Sequence, residues 1–90
     1  MTMNEWRIII DREAEKKLRY LDKPTRQRII QAIQALAQNP HPPNSRQMVG
    51  YEHYYRLRLG DWRVVYRLEA DRLLIFIIKV GARGDVYKNL

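Results

Sequence analysis

The side chains best suited to act on a phosphate lie in the second half of this chain. Arg56 and Arg58 stand two residues apart in an alternating run, so they point to the same side of one strand. Arg63 follows just across a glycine turn, and Arg83 and Tyr87 come from the end of the last strand and the segment after it. Guanidinium groups stay charged and present forked donors to phosphate oxygens, so several meeting at one place make a strong phosphodiester site. Alternation groups Arg63 with Val65 and Arg67 but leaves open which face they occupy. Any one of these arginines reads as readily as a solvated residue that blunts a strand edge. Tyr54, Tyr55, Trp62 and Tyr66 read more readily as packing than as platforms for stacked bases. The pattern alone predicts a basic face for RNA and does not reach catalysis.

Other chemistries find little support. His41 and His53 are the only histidines, set around a proline-rich loop, and there is no cysteine, so no metal site is expected. No glycine-rich phosphate loop precedes a helix, no Ser/His/Asp set is suggested, and no small-molecule cofactor is expected. Seventeen Lys and Arg oppose ten Asp and Glu, a formal charge of +7. That excess favours a polyanionic partner, and many of the cations fall inside regular elements rather than in a tail. Absence of cysteine fits a reducing compartment. The N-terminus lacks the pattern of a signal peptide, and the longest apolar run, Leu73 to Ile78, is too short to span a bilayer. A cytoplasmic, soluble protein with no membrane partner is expected.

The elements that must position these residues follow from periodicity. Trp6 to Ile10 is β-branched and aromatic and predicts a first strand. Asp11 is placed to cap a helix from Arg12 to Leu21, with Ala14, Leu18 and Leu21 as its apolar stripe. Asp22-Lys23-Pro24 ends it and opens a second helix to about Gln38, buried through Ile29, Ile30, Ile33 and Leu36. The short joint makes the two an antiparallel hairpin. Asn39 to Ser45 is a proline-rich breaker, and the irregular run to about His53 is long enough to be functional or mobile. Three strands then follow, Tyr54 to Leu59, Trp62 to Leu68 and Leu73 to Val80, with a tight turn at Gly60-Asp61. The last is apolar on both faces and belongs inside the sheet. The expectation is one α+β domain over residues 1–90, ordered βααβββ, with an antiparallel sheet packed against the helical hairpin.

The segment Tyr-Tyr-Arg-Leu-Arg-Leu-Gly-Asp-Trp-Arg-Val-Val-Tyr-Arg-Leu from Tyr54 onward resembles the signature hairpin of RelE/ParE toxins of bacterial toxin–antitoxin pairs. The later Val-Gly-Ala-Arg-Gly-Asp-Val-Tyr run is similar to their Val-Gly-x-Arg…Val-Tyr ending. The preceding strand, helices and proline-containing loop fall in the family's order, so the likeness covers nearly the whole chain.

The resemblance implies a ribosome-dependent endoribonuclease that cuts mRNA in the ribosomal A site by attack of the RNA 2′-OH on the adjacent phosphate. Carried over by position, Arg56 and Arg58 contact the scissile phosphate and Arg63 steadies it in the transition state. Arg83 acts as general acid or electrostatic clamp, and Tyr87 as general base. Well-known members have lysines at the first two positions, so a lysine-type proton role does not carry over. A free phenol ionises near pH 10, and surrounding arginines would bring that down. Ribosome, mRNA and a cognate antitoxin are the implied partners. The sequence ends three residues after Tyr87, where several such toxins continue into a helix, so Tyr87 is expected to be less firmly held. The competing expectations are a ParE-like toxin that inhibits DNA gyrase without nuclease activity, and a degenerate antitoxin-binding module.

Overall fold

The structure is a computed structural model and describes residues 5–85. Strand β1 (Arg7–Ile10) leads into helix α1 (Arg12–Arg19) and helix α2 (Lys23–Ala35). Strands β2 (Ser45–Gln47), β3 (Tyr54–Leu59), β4 (Trp62–Glu69) and β5 (Leu74–Ala82) complete the fold, with a 3₁₀ turn at Ala70–Arg72 before β5. The helices start where the sequence predicts. The Asp11 side chain accepts from the Glu13 N–H at 3.1 Å, and Asp22 accepts from the Thr25 N–H at 3.2 Å and its hydroxyl at 3.0 Å. Those donors would otherwise have no partner in a first helical turn. The hydrogen bonds hold the Asp22 carboxyl below the usual carboxylate range, the Thr25 hydroxyl contributing most. Both helices end two or three residues earlier than periodicity suggests, at Arg19 and Ala35, because turn-type bonds take over at Leu21 and Leu36.

All strands join one sheet in the order β1-β5-β4-β3-β2. The α+β class and the helical hairpin followed by strands agree with expectation, and β5 is an interior strand as its apolar run requires. Two features depart from a purely antiparallel, four-stranded sheet. The first strand runs parallel to β5, pairing Ile8 with Ile75 and Ile10 with Ile77. The long excursion through both helices and the hairpins brings the chain back along β1 in the same direction, which local alternation does not encode. Inside the proline loop, β2 pairs with β3, Arg46 opposite Arg56. Its residues Ser-Arg-Gln carry no β-branched or aromatic signal, so the strand exists through its neighbour.

The core lies between the helices and one sheet face. Ala14 and Leu18 of α1 and Ile29, Ile33 and Leu36 of α2 meet Leu57, Val64, Tyr66, Leu68, Ile75, Ile77 and Val80. Near the proline loop His41 packs edge-on to Tyr55, ring centroids 5.1 Å apart. Tyr55 in turn stacks on Tyr66 at 5.7 Å. The buried Tyr66 hydroxyl donates to the Pro40 carbonyl at 2.7 Å. Burial pushes this phenol's pKa above its usual value. The loop is thus anchored beneath the sheet by its own aromatic column. Among the described residues no helix is long and apolar enough to cross a membrane, and no cluster of His, Asp or Glu could hold a metal ion.

Candidate nucleic-acid interface

Register settles the face that alternation left open. The two-residue turn Gly60-Asp61 sets Leu59 opposite Trp62 and therefore Arg58 opposite Arg63 and Arg56 opposite Val65. Directly opposed residues share a face, so Arg63 joins Arg56 and Arg58 on the side away from the helices. Glycine is required in that turn, because Gly60 has φ of +61°. On the next strand Arg63 faces Gly81 and Val65 faces Lys79. A bulge between Val65 and Tyr66 then puts Tyr66 opposite Ile77, keeping both toward the core.

The result is an open cleft of about 450 Å³ lined by Pro43, Asn44, Arg46, Arg56, Arg58, Arg63 and Arg83. Four of the predicted site residues, Arg56, Arg58, Arg63 and Arg83, meet there. The fifth, Tyr87, lies outside the described residues. Sequence reasoning missed Arg46, which reaches the cleft only because β2 adds to the sheet edge; the one signal for it was a cation beside the proline loop. The proline loop, expected to be functional or mobile, supplies Pro43 and Asn44 as a wall of the cleft.

The walls are fastened by backbone bonds. Arg58 N–H donates to the Asn44 carbonyl at 3.0 Å, while the Asn44 amide donates back to the Arg58 carbonyl at 2.8 Å. At the opposite side the Arg83 N–H donates to the Asp61 carbonyl at 2.9 Å, tying the end of β5 to the β3–β4 turn. Arg63 is half-buried, its guanidinium donating to the carbonyls of Gly60 at 2.6 Å and Trp62 at 3.0 Å. Arg46 donates to the carbonyls of Pro43 at 3.1 Å and Ser45 at 2.9 Å. These bonds orient two guanidinium groups without neutralising them. Among the described residues no ion pair engages Arg46, Arg58, Arg63 or Arg83. No carboxylate lines the cleft. Cations converging from four segments, with no carboxylate in the lining, make a strongly positive concavity suited to a phosphodiester.

Packing is the fate of most of the aromatic residues, as expected. Tyr66 is fully buried and Tyr55 stacks on it, while Trp62 is half-buried against the core. Tyr54 differs, being opposite Arg67 on the outer face.

The site is thus an arginine-lined cleft on one sheet face of an α+β domain. A family model described as the ParE toxin of type II toxin–antitoxin systems matches residues 8–87. The chain therefore belongs to the RelE/ParE toxins of type II toxin–antitoxin systems. It is 30% identical over 79 residues to a putative RelE-like toxin protein of Escherichia coli, covering 83% of this chain and 82% of that one. It is 28% identical to putative toxin RelE1 of Methanocaldococcus jannaschii, covering 94% and 98%. The archaeal RelE–RelB complex of Pyrococcus horikoshii superposes with a TM-score of 0.80 at 29% identity, covering 89% of this chain and 97% of that one. The isolated E. coli RelE toxin superposes at 0.76 with 23% identity over 91% and 90%, a likeness of fold.

Proposed function

We propose that this toxin is a ribosome-dependent endoribonuclease that cuts mRNA in the ribosomal A site. The observation that carries the reading is the cleft where Arg46, Arg56, Arg58, Arg63 and Arg83 converge with no carboxylate among them. In this reading a 2′-OH gives up its proton to a base and attacks the neighbouring phosphorus. The bond from phosphorus to the 5′-oxygen breaks, that oxygen takes a proton, and the products are a 2′,3′-cyclic phosphate and a 5′-OH. Arg63, held rigidly by two carbonyls, and Arg58, clamped through Asn44, would meet the charge that develops on the phosphate oxygens. Arg83 would act as electrostatic clamp or acid and Tyr87 as base, as the resemblance implies. A single aligned donor of this kind is worth roughly 3 kcal/mol. The ribosome would add the bent substrate geometry that an open cleft does not impose alone. A cognate antitoxin is the proposed protein partner, in keeping with the RelE–RelB complex among the structural relatives.

A second reading, gyrase inhibition without cleavage, draws on the ParE description of the matching family model. Induction in cells separates the two when translation and replication are followed side by side. The nuclease reading expects rapid loss of protein synthesis, with primer extension mapping cuts in codon register. Filamentation and DNA damage with intact mRNA would overturn it.

A further inference from the structure

Beside the cleft, on the same outer face, lies a row of side chains that the phosphate chemistry does not use. Tyr54 is opposite Arg67, Arg67 opposite Phe76, and Phe76 opposite Ile9, so one row crosses four strands. The Arg67 guanidinium sits over the Phe76 ring, 4.4 Å from its centroid. Glu69 approaches it at 3.6 Å while pairing more closely with Arg72. Tyr51 approaches Tyr54 edge-on at 6.0 Å. Tyr51 and Ile9 are 42% and 40% exposed, and Tyr54 and Phe76 are half-exposed. The row is therefore mainly aromatic and apolar, with Arg67 as the one cation among its four residues. Two residues further along β3, about 7 Å away at strand spacing, stands Arg56, followed by Arg58 opposite Arg63.

We propose that this row is a nucleobase subsite, in which Tyr54, extended by the Arg67–Phe76 pair, stacks the base of a nucleotide flanking the phosphate held in the arginine cleft. The inference rests on the nuclease reading, because it needs RNA in that cleft. A second phosphate would meet a single cation in the row, Arg67, whose guanidinium is already seated on the Phe76 ring with Glu69 beside it. A ligand that spans row and cleft must offer a flat unsaturated group and an anion within one short repeat, and every nucleotide carries both. Aromatic stacking accepts any base, so the subsite would position the strand without reading its sequence.

The test uses a fluorescent 2′-O-methyl RNA hexamer, which cannot be cleaved by 2′-OH attack, with binding followed by anisotropy. Tyr54→Ala should weaken binding roughly 5-fold or more, the cost of one lost stack, and Tyr54→Phe should bind like wild type. Removing one base from the hexamer should weaken wild-type binding by a similar factor and weaken Tyr54→Ala no further. Arg58→Ala should weaken intact and abasic hexamers alike. If Arg58→Ala weakens binding while neither Tyr54→Ala nor any abasic position does, the subsite is overturned and the phosphate cleft stands. If Arg58→Ala changes nothing, the cleft reading itself fails and the subsite with it. Should Tyr54→Ala leave RNA affinity intact but weaken antitoxin binding, the row belongs to a protein contact and the proposal is wrong. The abasic series on wild-type protein decides the matter even if Tyr54→Ala does not fold.

Discussion

Tyr66→Phe removes one hydroxyl and tests how the proline loop is held. The hydroxyl donates to the Pro40 carbonyl at 2.7 Å, from a residue with no exposed surface. Deleting the donor leaves a carbonyl without that partner, a loss of about 1–3 kcal/mol. Pro40 is half-buried and gains some solvent in exchange, which sets the expectation at about 1–2 kcal/mol. In a domain of this size each kcal/mol lowers Tm by roughly 4–8 °C, so a drop of roughly 5–15 °C is expected at neutral pH. The same phenol has a second signature. Its pKa is raised in the folded state by burial, so above about pH 10 the unfolded chain loses this proton first. The wild-type stability that Tyr66 supplies is complete below that pH and is lost as pH rises through the folded value. Tyr66→Phe has no such proton, so the Tm gap between the two proteins should narrow from about pH 9 to about pH 11. Thermal melts by circular dichroism across that range measure both effects. An unchanged Tm at neutral pH, or a gap that stays constant into alkali, would refute the anchoring argument.

Three further outcomes follow from other contacts. Gly60→Ala should cost about 1–2 kcal/mol in denaturant unfolding, since the backbone is left-handed there. The new Cβ would also come within 3.1 Å of an Arg28 guanidinium nitrogen, which can swing away, so most of the cost should survive in an Arg28→Ala background. Asp22→Asn should be less stable than wild type near neutrality, and that difference should shrink as pH falls below about 4, where the wild-type carboxylate that Thr25 holds ionised takes up its proton; a gap independent of pH would contradict the cap's role. Arg46→Ala should weaken RNA binding across sequences and reduce the slope of log affinity against log salt by about one; an unchanged slope would remove Arg46 from the cleft's phosphate contacts.

Much of this arrangement was legible in the chain because hairpins are local. Gly60-Asp61 marks a two-residue turn, and Tyr54 to Leu59 and Trp62 to Leu68 match β3 and β4 closely. What alternation alone could not say was on which side of the hairpin Arg63 falls; only the observed pairing of Arg58 with Arg63 decides it. The convergence of Arg83 was suggested by family resemblance, and its physical cause is a backbone bond to Asp61 across the sheet, a non-local contact invisible to periodicity. Arg46 was missed because three polar residues form a strand only when a neighbour offers its edge. The parallel partner of β1 was missed because it lies more than sixty residues away. Tyr54 and Tyr55, adjacent in the chain, take opposite fates, one outward and one stacked on Tyr66.

The pairing of the first strand with the last has a temporal consequence. During synthesis β1 emerges early and finds no neighbour until β5 has left the ribosome, since among the described residues its sheet partner is the strand ending at Ala82. Contacts between such distant segments form late and slowly compared with hairpins. Arg83, fastened to the turn at Asp61, arrives later still. A nascent chain therefore cannot assemble its arginine cluster until nearly all of it has been made.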